Sequence, residues 1–226
     1  MSEGEYFEET SGDPAVRGFV HRPAEPVRAT LVLTHGAGSN CDAPLLVALS
    51  EAFAEKGMAT LRCDLPYRQR QPQGPPRGTA STDQAGLRRA VEVMRKEVAG
   101  PIFMGGISHG GRQATLLAAA EPNLVDGLVI LSYPLHPPGK PNQLRISHLS
   151  KIKNPALLVS GAKDPFGAPE ELKSAIDGIS AETRFISLEG VGHDLGYGRR
   201  VSAAQRDLPQ RIVRVFEQFF FKSELA

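Results

Sequence analysis

Cysteine is scarce in this chain: Cys41 and Cys63 are the only two in 226 residues, and they stand in no metal-ligand spacing. No disulfide framework or zinc cluster organises it; reduced thiols are the expectation, with a bond between the two as the one alternative. Long apolar runs are missing too. No stretch approaches the roughly 20 residues that a bilayer-spanning helix needs. The opening Met1-Ser2-Glu3-Gly4-Glu5 carries neither the basic nor the apolar part of a signal peptide, so the expected location is the cytoplasm. Excess charge of one sign is also lacking, since 26 Lys and Arg face 25 Asp and Glu for a net charge of +1. Such a balance sets up no global field, and neither nucleic acid nor a membrane surface is expected as a partner.

What is present suits one globular domain over residues 1–226, with 41% hydrophobic and 23% charged residues. Residues 1 to 28 read as one or two antiparallel edge strands. Four nearly unbroken apolar runs follow at Ala29 to Leu33, Pro101 to Met104, Gly127 to Leu131 and Pro155 to Val159, as expected of parallel strands buried on both faces. Met58 to Cys63 and Thr183 to Leu188 complete the set. Between them lie helical patterns: Asp42 to Lys56, stopped by Gly57; Ser81 to Val98, opened by a Ser81/Gln84 capping box; a helix started by Pro169; and a closing stripe from Asp207. After Asp64-Leu65-Pro66-Tyr67-Arg68 the chain has loop composition as far as Ala80. Strands alternating with helices predict an α/β fold with a mostly parallel central sheet and helices on both faces. The loop after Leu131 holds four prolines in Ser132 to Pro141, too irregular for a helical cap domain.

The chemistry gathers on Gly106-Ile107-Ser108-His109-Gly110. Set between a strand and the small-residue run Ala114 to Ala120, it reads as a nucleophile elbow, in which side chains two positions either side of the serine would collide. Ser108 is the candidate nucleophile. A serine hydroxyl needs a base, and the base needs an acid to hold its second ring nitrogen protonated. Loops leaving the carboxyl ends of parallel strands share one edge, so His193, after the last strand, and Asp164, after the preceding one, can both reach Ser108. Asp194 and Glu189 are the substitutes for Asp164. The backbone N–H groups of Ala37, in Thr34-His35-Gly36-Ala37-Gly38, and of His109 are the expected oxyanion donors. The His109 ring should diverge from Ser108, His35 should be a hydrogen-bonded loop histidine, and Asp64 a structural hydrogen-bonding group. No metal or cofactor is called for.

These residues carry a resemblance. The elbow Gly-Ile-Ser-His-Gly-Gly-Arg, the Thr-His-Gly-Ala-Gly loop, Tyr-Pro-Leu-His-Pro-Pro-Gly-Lys-Pro and Gly-Ala-Lys-Asp-Pro-Phe-Gly together resemble the α/β-hydrolase branch that includes testis-expressed protein 30, related to dienelactone hydrolase. The resemblance runs from about Ala29 to His193. It implies an α/β-hydrolase fold without a cap and the Ser108, Asp164, His193 assignment. Dienelactone hydrolases use a cysteine nucleophile where this chain has Ser108, so their substrate does not carry over. The expected partner is a small acyl substrate, and the expected activity that of a serine-dependent, carboxylesterase-like hydrolase. Some relatives serve as chromatin-complex subunits, which keeps a non-catalytic scaffold as the alternative. Arg68, Arg70, Arg77, Lys140, Lys163, Arg199 and Arg200 fall on loops of the active edge, so an anionic substrate is conceivable beside ordinary solvated charge. The oligomeric state is left open.

Overall fold

The computed structural model describes residues 4–24, 26–198, 200–201 and 203–221. Its strands are β1 (Glu5–Glu9), β2 (Val16–His21), β3 (Ala29–Thr34), β4 (Met58–Cys63), β5 (Ile102–Ile107), β6 (Gly127–Leu131), β7 (Ala156–Gly161) and β8 (Thr183–Leu188). They form one eight-stranded sheet in the order β1-β2-β4-β3-β5-β6-β7-β8. β1 and β2 pair as an antiparallel hairpin whose second strand runs antiparallel to β4, and the remaining neighbours are all parallel. The helices are α1 (Pro44–Ala54), α2 (Pro66–Arg70), α3 (Ala80–Glu97), α4 (His109–Ala120), α5 (Pro169–Ile176) and α6 (Leu208–Phe220).

The unbroken apolar runs are explained by what covers them. Side chains alternate across each strand, so Val32, Met104 and Ile130 enter one core with Leu87 and Met94 of α3 and Leu117 of α4. Leu31, Leu33, Phe103 and Val129 enter the other, with Leu46 and Leu49 of α1 and Ile212 and Phe216 of α6. Each fully buried side chain of this size contributes roughly 1.5–3 kcal/mol. Phe216 anchors the second layer, meeting Phe53 and Phe103 edge-on at 5.1 and 4.8 Å between ring centroids.

Two local expectations are corrected. The stretch from Arg68 to Ala80 is not all loop, since it begins inside α2, which forms because Pro66 takes a first-turn position and both Tyr67 and Arg68 turn inward. The α3 cap is not Ser81 but Thr79, whose hydroxyl accepts from Thr82 N at 3.3 Å. Cys41 and Cys63 are both buried and unbonded to one another, and burial above all raises both thiol pKa values, that of Cys41 to about 12. The connection from β6 to β7 holds a single 3-10 turn, Leu149–Lys151, and no helical layer. Among the described residues no helix is long and apolar enough to cross a membrane, and no group of three or more His, Cys, Asp or Glu could hold a metal ion.

Candidate active site

The reversal from β5 to α4 is made by one residue. Ser108 has φ 52° and ψ −112°, a left-handed conformation that a non-glycine residue adopts at a cost on the order of 1–3 kcal/mol. Its N–H donates to Leu131 O at 2.8 Å, which ties the elbow to the end of β6. The flanking glycines are required by close approach to β3. A Cβ on Gly106 would lie 2.5 Å from Thr34 O, and one on Gly110 would lie 2.6 Å from both His35 O and Thr34 Cγ2.

Parallel strands deliver the partners to this tip. His193 Nε2 lies 2.7 Å from Ser108 Oγ, and His193 Nδ1 lies 2.8 Å from Asp164 Oδ2. Asp164 is buried, with its other oxygen accepting from Phe166 N at 2.9 Å, so the carboxylate is fixed before the imidazole meets it. Phe166 also packs against the His193 ring, at 4.2 Å between centroids and a 32° tilt. The two substitutes stand apart: Asp194 Oδ1 accepts from Gly196 N, and Glu189 is exposed. His109 is likewise no rival base, because its Nε2–H is directed at Asp83 Oδ2 at 2.9 Å.

The loop after β3 brings Gly36 against the nucleophile, where a Cβ would sit 3.6 Å from Ser108 Cβ. Its peptide orientation follows from the hydrogen bonds of its carbonyls. His35 is fully buried; Nε2 accepts from Leu65 N at 3.1 Å, so the proton is on Nδ1, which donates to Gly36 O at 2.9 Å. Burial pushes the His35 pKa down, which keeps this neutral tautomer. A trans peptide directs its C=O and N–H oppositely, so with Gly36 O held by His35, the Ala37 N–H faces the other way. Neither that N–H nor the N–H of His109 donates to a protein acceptor among the described residues. Two further side chains hold the same loop: Tyr67 OH donates to Ala37 O at 3.0 Å, and Arg68 donates to Ala37 O at 2.9 Å and Ser39 O at 2.7 Å. Asp64 has the structural role expected, accepting from Cys41 N at 2.8 Å and pairing with Arg17 at 3.5 Å.

A cavity of about 670 Å³ opens beside Ser108 and His193, with walls that include Ala43, Pro44, Leu45, Ile107, Leu195 and Tyr197. No Lys or Arg is among its described lining residues, and Asp194 is its one carboxylate. Of the seven basic residues expected near the active edge, the six that are described do not line it. Arg68 is buried and spent on backbone carbonyls, Arg70, Arg77, Lys140, Lys163 and Arg200 are exposed away from the cavity wall, and Arg199 lies outside the described residues. The residues that sequence reasoning missed are Tyr67 and Arg68, Phe166, Asp83, and the cavity walls Leu195 and Tyr197. For Tyr67 and Arg68 a signal existed: Pro66, a helix-starting proline, falls three residues after the end of β4.

The parallel sheet with the elbow after a central strand defines the α/β-hydrolase fold. Residues 27–221 match the family model described as an alpha/beta hydrolase domain, and the chain belongs to that family. It is similar to a dienelactone hydrolase from Anabaena variabilis, with 19% identity, coverage of 97% of either chain and a TM-score of 0.74. It is also similar to an alpha-beta serine hydrolase homologue from Coxiella burnetii, with 19% identity, coverage of 95% of this chain and 98% of that one, and a TM-score of 0.74. Est1E from Butyrivibrio proteoclasticus matches with 17% identity, coverage of 96% and 98%, and a TM-score of 0.75.

Proposed function

We propose that this chain is a serine hydrolase of esters or related acyl compounds, acting through an acyl-enzyme on Ser108. The observation that carries it is the continuous relay from Ser108 Oγ to His193 Nε2 at 2.7 Å and from His193 Nδ1 to Asp164 Oδ2 at 2.8 Å. As Ser108 Oγ attacks the substrate carbonyl, its proton passes to His193 Nε2, and Asp164 stabilises the imidazolium. The negative oxygen of the tetrahedral intermediate meets the N–H groups of Ala37 and His109, which need no reorganisation. Collapse breaks the bond to the leaving group, which takes the proton from His193. Water then repeats the sequence on the acyl-enzyme and frees Ser108. The apolar cavity walls suit an uncharged hydrocarbon portion of the substrate.

Within the family we place the chain on the branch that includes testis-expressed protein 30, on the strength of its elbow, proline loop and Asp164-Pro165-Phe166-Gly167. A non-catalytic scaffold would have no need of a strained serine, a base in contact with it and a buried acid behind the base. The test is labelling with a fluorophosphonate probe followed by peptide mapping. Wild type should be modified at Ser108 and Ser108→Ala should not; folded wild type that resists the probe, or full esterase activity in Ser108→Ala, would overturn the reading.

A further inference from the structure

The apolar cavity draws on residues of the α1/α6 core, such as Leu45, Leu195 and Tyr197. Across the sheet, on the α3/α4 side, Ser108 has a different neighbourhood. Arg112 sits one turn into α4, its N–H bonded to Ser108 O at 2.9 Å. Its Nε is shut off from solvent and has no hydrogen-bond partner among the described residues. Ile107 pairs with Leu131, so the loop leaving β6 emerges beside the nucleophile. That loop returns to place Arg145, whose N–H donates to Leu135 O at 2.8 Å and whose carbonyl accepts from Tyr133 OH at 2.5 Å. Among the described residues the Arg145 guanidinium has one hydrogen-bond acceptor, Pro134 O, at 3.3 Å.

The segment that carries Arg145 docks on α4 next to Arg112, because His148, three residues after Arg145, bonds Thr115, three residues after Arg112, at 2.9 Å; burial first, and Arg112 second, lower the pKa of Arg145. His148 gives no counter-charge. The Thr115 hydroxyl donates to Arg112 O at 2.8 Å, so it accepts from His148 Nε2–H at 2.9 Å. Other half-buried or buried arginines here are neutralised or saturated. Arg62, Arg88 and Arg89 each meet a carboxylate, and Arg68 spends its donors on carbonyls. Two like charges, one with a desolvated free donor, are costly without a partner, and a planar fork of N–H donors matches a group with two or more oxygens.

We propose that Arg112 and Arg145 form a subsite for a carboxylate or phosphate group. Resting on the hydrolase reading, this group is carried by the substrate on the side opposite its apolar portion. The substrate class is then an acyl compound with an apolar part in the cavity and an oxyanionic group across the nucleophile.

The test has one arm that needs no turnover. Titration calorimetry with inorganic phosphate and with succinate should show saturable binding of at least one by wild type. Affinity should weaken by about tenfold or more in Arg112→Met and in Arg145→Met, as expected for losing a charge-assisted pair. Lys96→Ala, on the exposed face of α3, should leave it unchanged. Arg112→Lys and Arg145→Lys, which keep the charge without the fork, should fall between and guard against misfolding. The second arm compares 4-nitrophenyl esters whose acyl chains end in methyl, carboxylate or phosphate. The ratio of kcat/KM for the better anionic ester to that for the methyl ester should drop by about tenfold in either Met variant. Preference for phosphate or for carboxylate in both arms identifies the source of the anion. No binding by wild type, or binding and ratio unchanged in both Met variants, would overturn the subsite. Anion binding that depends on both arginines in a protein whose Ser108 resists fluorophosphonate would keep the subsite and retire the hydrolase reading.

Discussion

Replacing Arg68 by methionine keeps much of the side-chain volume and removes the cation that holds the loop after β3. In the native protein that guanidinium donates to Ser39 O at 2.7 Å, Ala37 O and Gly74 O at 2.9 Å, and Gln71 O at 3.0 Å. A hydrogen bond from a charged donor contributes about 1.5–3 kcal/mol, but the four share one side chain and are not additive. For the four together a net loss of about 3–5 kcal/mol is expected. The larger effect should be on catalysis. If the Ala37 N–H drifts from the position of the developing oxyanion, one donor is lost, which costs on the order of 10²–10³ in kcat. Steady-state kinetics on a short-chain 4-nitrophenyl ester should show kcat falling far more than KM changes, with a parallel slowing of fluorophosphonate labelling. Arg68→Lys retains the charge but lacks the planar fork, and should recover part of kcat. Folded Arg68→Met with kcat within about threefold of wild type would refute the clamp, because the donor would then hold its place unaided.

Asp164→Asn should leave the fold intact and reduce kcat by roughly 10³–10⁴, since an amide does not hold the required His193 tautomer; ester turnover measures it. Gly110→Ala should lower Tm by several degrees in differential scanning fluorimetry, because its Cβ would meet His35 O at 2.6 Å, an overpacking cost of roughly 1–3 kcal/mol. Stability should fall as pH drops from about 6.5 toward 4. The His148 pKa is pushed down from 6.5 to about 4, by burial first and by Arg112 second, so the unfolded chain takes up a proton that the folded one refuses. That contribution is complete above about pH 6.5 and is on the order of 3 kcal/mol at most. Urea midpoints at pH 7.5 and pH 5 should differ, and His148→Asn should shrink the difference.

The elements most legible in the sequence were those set by local pattern. Apolar runs such as Ala29 to Leu33 and Gly127 to Leu131 could only be strands covered on both faces, and they are β3 and β6. Ser108, Asp164 and His193 were legible because each follows a strand, and parallel strands carry the ends of their loops to one edge. Long-range pairing hid the rest. Arg68 read as solvated loop charge, and nothing near it in sequence announces that two of its acceptors, Ala37 O and Ser39 O, lie on another loop about 30 residues earlier. Likewise Asp83 lies on a helix face whose use depends on the ring of His109 coming to meet it. Capping was misplaced at Ser81 because the hydroxyls of Ser81 and Thr82 both gather on that of Thr79, and only the turn of the backbone decides which one faces the free N–H.

The plain β6 to β7 connection has a kinetic corollary. With no helical flap in that connection to swing aside, ester turnover should begin without a lag, show no jump in rate at an oil–water boundary, and run at a speed indifferent to solvent viscosity until chemistry itself becomes fast.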